Sequence, residues 1–142
     1  MTTQILEGGC QCGAIRYQII GAPVMTSICH CSICRRASAT SSMSWAMFRK
    51  HQVTFLKGEL VHYASSPGAE RCFCSVCSTQ ICLTANYLPG LIDFTLGSLD
   101  RPDAISPTLH YWGTRRLPWA QFAYSLPKDT GIAAGAKGAP SP

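Results

Sequence analysis

Cys29-His30-Cys31-Ser32-Ile33-Cys34-Arg35-Arg36 sets three thiols and an imidazole within six residues and follows them with two guanidiniums. No hydrophobic core needs that composition. In a C-x-C-x-x-C run each short loop turns its two thiols toward one point, so three sulfurs can converge on one tetrahedral metal. Three sulfurs from one loop leave a fourth position. A distant protein ligand there makes a structural zinc site, and an exogenous ligand makes a catalytic one. Buried thiols acting as small hydrophobes, or disulfide partners, are the plainer alternatives. Three thiols in six residues with no apolar flank favour the metal. His30 can be a ligand or can point away.

Two other stretches carry the remaining cysteines. Gly8-Gly9-Cys10-Gln11-Cys12-Gly13 is a C-x-C between glycines, which let the backbone fold tightly enough for its N–H groups to face thiolates. Cys72-Phe73-Cys74-Ser75-Val76-Cys77 lies about sixty residues on, with Cys82 beyond it. Cys10, Cys12, Cys74 and Cys77 make a Cys₄ set that closes all four zinc positions and staples distant segments together. Cys72 competes with Cys74 for that set, but the two-residue gap of Cys74 and Cys77 is the commoner knuckle. Cys82, between Ile81 and Leu83, reads as core. Cys29, Cys31 and Cys34 then form a second site, with Cys72 the only spare cysteine to close it.

Outward from these groups the chain alternates like β-strands. Ile15, Tyr17 and Ile19 share one face of a half-buried strand against Arg16 and Gln18. Val24 to Ile28 delivers the chain to Cys29. Met43, Trp45 and Met47 form an apolar stripe that reads as core. Val53 to Leu56 and Leu60 to Ala64 flank Lys57-Gly58-Glu59 at hairpin spacing. Leu91 to Leu96 and Thr108 to Trp112 are two more strands, and Pro118, Trp119 and Phe122 make an aromatic loop. No segment of ten or more residues has a helical period. The expectation is an all-β domain over residues 1–126 and a disordered tail over 127–142, where large apolar side chains are scarce.

Composition limits the function. The chain has 142 residues, 46% hydrophobic and 13% charged, which suits one globular domain. No run of about 20 apolar residues is present, so no membrane span is expected. The net charge of +5 is spread along the chain instead of being gathered into a patch, so nucleic acid is not an expected partner. The start MTTQILEGG lacks the basic and apolar regions of a secretory signal, so the nine cysteines are expected in a reducing cytoplasm, as metal ligands and not disulfides.

The order G-x-C-x-C-G-x-x-R-Y (Gly8 to Tyr17), C-H-C-x-x-C-R-R (Cys29 to Arg36) and R-x-F-C-x-x-C (Arg71 to Cys77) resembles the glutathione-dependent formaldehyde-activating enzyme family, which includes centromere protein V. The likeness runs from about Gly8 to Tyr124 and takes in Gly97-Ser98-Leu99-Asp100 and the stretch from His110-Tyr111-Trp112 to Trp119. It implies a β-rich, Mss4-like fold with short antiparallel strands stapled by zinc knuckles. It implies two zinc ions: a structural one on Cys10, Cys12, Cys74 and Cys77, and a catalytic one on Cys29, Cys31 and Cys34. It implies carbon–sulfur lyase chemistry in which glutathione and formaldehyde interconvert with S-(hydroxymethyl)glutathione. Arg35 and Arg36 then have two readings, grip of the substrate carboxylates or charge compensation of the metal centre. His30 or His110 could transfer a proton, or could be ordinary histidines. One departure stands out: Ser78 follows the last knuckle where the family has glycine, and a Cβ is disfavoured at positive φ. Rival readings are a non-catalytic zinc interaction module of the same fold, and a redox or metal-sensing protein using Cys72 and Cys82 with the open cluster of Cys29, Cys31 and Cys34.

Overall fold

The computed structural model describes residues 2–120. The strands among them are β1 (Ile5–Gly9), β2 (Arg16–Ile20), β3 (Met25–Cys29), β4 (Met43–Arg49), β5 (Val53–Lys57), β6 (Leu60–Ser66), β7 (Ala69–Cys74), β8 (Gln80–Ala85), β9 (Leu91–Thr95) and β10 (Leu109–Tyr111). One helix, α1 (Ser32–Ser38), follows β3. A three-stranded sheet runs β1-β2-β5, and a seven-stranded sheet runs β10-β3-β4-β9-β8-β7-β6. The pairings are antiparallel except that of β10 with β3. The all-β class holds, with one short helix added. Phe122, the expected domain end at residue 126 and the tail over 127–142 lie outside the described residues.

The main core lies between the sheets. Ile15, Tyr17 and Ile19 share the inner face of the small sheet, and each is at most 2% exposed. They pack against Ala46, Phe48, Ile81, Ile92 and Phe94 from the large one. The Tyr17 ring lies 4.5 Å from that of Phe94, and its hydroxyl shares a 2.7 Å hydrogen bond with Ser98 Oγ. A buried phenol needs such a partner, because an unpaired hydroxyl in an apolar core is costly.

The strand β4 is buried on both faces. Ala46 and Phe48 face the main core, whereas Met43 and Trp45 form a second apolar cluster with Cys29 and Cys34. The Met/Trp stripe is therefore core, as its pattern predicts, but it is the floor beneath the three-thiol group on the outer face of the large sheet.

Two local readings differ. Val53–Leu56 and Leu60–Ala64 are strands but do not pair: β5 joins β2 in the small sheet, and β6 joins β7 at the edge of the large one. Gly58 between them has φ +79°, and a Cβ there would stand 2.2 Å from the Ala14 carbonyl oxygen. A glycine at positive φ serves a corner between sheets as well as a tight hairpin, and spacing alone does not separate the two. The second difference is α1, which has only seven residues and so shows no period in the sequence. Cys31 caps it, its Sγ accepting from the Cys34 N–H at 3.3 Å.

Candidate metal centres and active site

The sulfurs of Cys10, Cys12, Cys74 and Cys77 all lie within 4.8 Å of one another. Cys10 and Cys12 Sγ are 3.5 Å apart, and Cys12 and Cys74 Sγ 3.8 Å. Tetrahedral zinc with Zn–S of about 2.3 Å spaces its sulfurs about 3.8 Å apart, so this donor set fits the ion. The turn after β1 closes at Gly13, at φ +79°, with the Gly13 N–H donating to the Cys10 carbonyl. The turn after β7 closes at Ser78, whose φ is +62°. Backbone N–H groups face the sulfurs: Ile15 donates to Cys10 Sγ at 3.1 Å and Val76 to Cys74 Sγ at 3.4 Å. Thr79, which sequence reasoning passed over, joins the two knuckles. Its hydroxyl oxygen accepts from the Gln11 N–H at 3.1 Å and lies 3.2 Å from Cys77 Sγ. That contact is the chief reason the Cys77 thiol is pulled down to about 5.

The second group differs in construction. Cys29 ends β3, Cys31 caps α1 and Cys34 sits in its first turn, with all three sulfurs within 4.8 Å. Cys29 is 5% exposed and Cys34 6%. Among the described residues the group ends at three ligands. Cys72 does not close it. It lies on the opposite face of β7, in register with Cys82 and 3.4 Å from His62 Nδ1. Cys82 is buried, as read. His30 also stays out of the group: its Nε2 meets His110 Nδ1 at 2.9 Å, because the parallel pairing of β10 with β3 brings His110 alongside. Burial, then His110 and Arg116, lower the His30 pKa, so its imidazole is neutral at physiological pH.

Charge near the three thiols comes from a residue to which sequence reasoning gave no role. Arg71, on β7, is 5% exposed, and its Nη2 donates to Cys34 Sγ at 3.4 Å. Its guanidinium carbon stands 5.7 Å from the centre of the Trp45 ring. The Cys34 thiol is pulled down to about 5, first by its hydrogen bond with Cys29 and then, against burial, by Arg71. Cys29 is pushed up by the same bond with Cys34 and by burial. Asp93 on β9 is a second, half-buried charge on this face. Burial, then the negative charge of Cys34, push its carboxyl up to about 6, and its Oδ1 lacks a hydrogen-bond partner. The signal for Arg71 was strand alternation. In Ala69–Cys74 the period of two sets Arg71 opposite Cys72 and Cys74, but reading those cysteines as a knuckle hid the strand.

Arg35 and Arg36 lie on α1 directly after Cys34. Arg35 is half-buried and Arg36 exposed. Both line a surface cavity of about 460 Å³ together with Thr40, Ser41 and Trp119. Two guanidiniums, two hydroxyls and an indole suit an anionic, peptide-like molecule.

The sequence profile of the glutathione-dependent formaldehyde-activating enzymes matches residues 5–115. The chain belongs to that family. An uncharacterized lyase of Schizosaccharomyces pombe is 38% identical over 76 residues, covering 53% of this chain and 54% of that protein. A Halomonas elongata protein, provisionally named a glutathione-dependent formaldehyde-activating enzyme, is 27% identical over 105 residues, covering 68% of this chain and 66% of its own. The chain thus spans less than two thirds of either relative. A crystal structure of a Rhodobacter sphaeroides protein superposes with a TM-score of 0.59 at 20% identity, over 74% of this chain and 98% of the other, a likeness of fold alone. No helix among the described residues is long and apolar enough to cross a membrane.

Proposed function

We propose that the protein is a zinc-dependent carbon–sulfur lyase of the formaldehyde-activating type. It interconverts glutathione plus formaldehyde with S-(hydroxymethyl)glutathione, or acts on a related thiol adduct, and works in a reducing cytoplasm where its nine cysteines stay reduced. It carries two zinc ions. Cys10, Cys12, Cys74 and Cys77 hold a structural one; Cys29, Cys31 and Cys34 hold the second and are the catalytic set. The observation that carries this reading is the three-thiol group that ends at three ligands and has a buried guanidinium against Cys34. Family membership supports it.

The zinc supplies one thing there: a bound thiol is kept deprotonated. The chain's own residues do the rest. Arg35 and Arg36 take the carboxylates of glutathione, which carries two carboxylates and one ammonium, and so orient the sulfur. Trp119 covers the cavity wall and displaces water. In the forward direction the substrate sulfur forms a bond to the aldehyde carbon, and the carbonyl π pair moves to oxygen. That oxygen takes up a proton while the thiol proton leaves to solvent, so the sum is addition of RSH across C=O. The reverse breaks the carbon–sulfur bond and returns both components.

Metal analysis of reduced protein should give close to two zinc equivalents. A cobalt-substituted protein tests the substrate. Glutathione should shift its visible spectrum, because a thiolate joining the metal alters the ligand field. S-methylglutathione keeps the carboxylates but cannot become a thiolate, so it should leave the spectrum almost unchanged. The same response to both, or to neither, overturns thiol capture.

A further inference from the structure

Arg71 is a buried cation that pairs with no carboxylate among the described residues. No acidic oxygen lies within 4.0 Å of it among the described residues, and Nε has no hydrogen-bond partner. The nearest candidate in the sheet, Asp93, stands two strands away, in register through Leu83. A guanidinium at 5% exposure is expensive unless a negative charge faces it. What faces it is sulfur: Cys34 Sγ at 3.4 Å from Nη2, and Met43 Sδ at 3.9 Å from Nη1. The Trp45 face, 5.7 Å away, covers the same cation. Charge, hydrogen bond and ring together hold the fork against one sulfur of the three-thiol group.

We propose that Arg71 is a positioning residue of the three-thiol centre: it orients Cys34 and supplies the buried positive charge that lets an already anionic centre accept one more thiolate. This rests on the thiol-capture reading above. Three thiolates around a divalent ion carry −1, and a substrate thiolate makes it −2. An uncompensated charge in a low-dielectric site is costly, so a fixed cation in contact with Cys34 Sγ favours the substrate-bound state most. Arg35 and Arg36 are exposed to solvent to different degrees and act from the cavity; Arg71 acts from beneath the sulfurs. The strand that carries it ends in Cys74, so β7 serves both thiol groups, one from each face.

Arg71→Met and Arg71→Lys test this in the full chain, read by chelator competition, by the cobalt spectrum and by glutathione titration. Met keeps much of the stem and loses the charge; Lys keeps the charge and loses the planar fork. In Arg71→Met the more labile metal equivalent should leave about ten- to a hundredfold faster. The tightly held equivalent, on the four thiols, should be unchanged. Glutathione should bind at least about tenfold more weakly to the cobalt form. Arg71→Lys should restore part of both losses. Wild-type chelation rate and glutathione affinity in Arg71→Met overturn the proposal, even with a lowered melting temperature, since that pattern describes a residue that only supports the fold. Should Arg71→Met fail to fold, Arg71→Lys carries the test: faster loss of the labile metal supports the proposal and the wild-type rate overturns it. A wild-type protein that ignores glutathione sinks thiol capture, but the chelation arm still decides whether Arg71 holds Cys34.

Discussion

The two thiol groups use the same side chain to opposite ends. The four-thiol group draws on Cys10, Cys12, Cys74 and Cys77, so it fastens the turn after β1 to the turn after β7. Its sulfurs are faced by neutral donors: the Ile15 and Val76 N–H groups and the Thr79 hydroxyl. The three-thiol group lies within residues 29–34, joins nothing distant, and is faced by a full positive charge from Arg71 and a half-buried carboxyl at Asp93. A site that closes a long loop gains stability from chain entropy, and neutral donors suffice for it. A site whose charge must change during a reaction gains from a fixed ion beneath it. Ligand span and local charge, more than ligand type, separate the two groups.

The sharpest way to break that comparison is to remove one sulfur from each. Cys10→Ala or Cys77→Ala should cost about 4 kcal/mol or more, because the staple between distant segments goes with the metal. For a domain of this size that is a fall of roughly 15 °C in Tm. Cys31→Ala opens only a local loop. It should lower Tm far less while abolishing the glutathione response of the cobalt form. Mild chelation of the unmodified protein should remove about one equivalent first, from the three-thiol group. Equal melting losses in all three variants would make both metals structural.

Much of this contrast was legible in the sequence, and the reason is chain distance. Cys29, Cys31 and Cys34 lie in one short run, so spacing alone brings their sulfurs together. Strand alternation likewise assigned the faces of Ile15, Tyr17 and Ile19, because period two survives without knowing the partner strand. What spacing could not show is which strands pair. Val53–Leu56 and Leu60–Ala64 look like a hairpin, yet Gly58 sends them to different sheets. Arg71 was hidden for the same reason: it touches Cys34 from three strands beyond β4, through pairings of β7 with β8, β8 with β9 and β9 with β4. The His30–His110 contact depends on a parallel pairing that no local pattern encodes.

Asp93 offers a second, smaller test, on the three-thiol side alone. Its folded pKa, about 6, is above its ordinary value of 3.8. The native state therefore holds the proton more tightly than the unfolded chain. The stability this contributes is full below pH 3.8 and is lost as pH rises through about 6, a loss of at most about 3 kcal/mol at roughly 1.4 kcal/mol per unit. Asn at this position cannot ionise. The stability of Asp93→Asn relative to the parent should rise between about pH 4 and 6 and then level off. Denaturant titrations of both proteins across that range check it, and taking the difference cancels the pH dependence of the shared thiols. A difference independent of pH would mean that Asp93 is not buried with its charge near Cys34.

The smallest effect belongs to the four-thiol side. Ser78 holds φ +62° in the knuckle turn, a conformation that costs a residue with a Cβ about 1 kcal/mol. Its N–H donates to the Cys74 carbonyl at 3.0 Å, so the turn is held in that geometry by the backbone. Its hydroxyl recovers part of the cost by donating to the Cys77 carbonyl at 2.6 Å. Ser78→Gly relieves the strain, loses that exposed hydrogen bond and adds freedom to the unfolded chain. The net gain should be about 0.5 kcal/mol, or roughly 2 °C in Tm, with metal content and glutathione response unchanged. If the strain at Ser78 were instead needed to aim Cys77 at the metal, the glycine variant would melt lower and lose its tightly held equivalent to chelator sooner. Neutral donors would then not suffice to hold the four-thiol group, and the contrast between the two groups would narrow to ligand span alone.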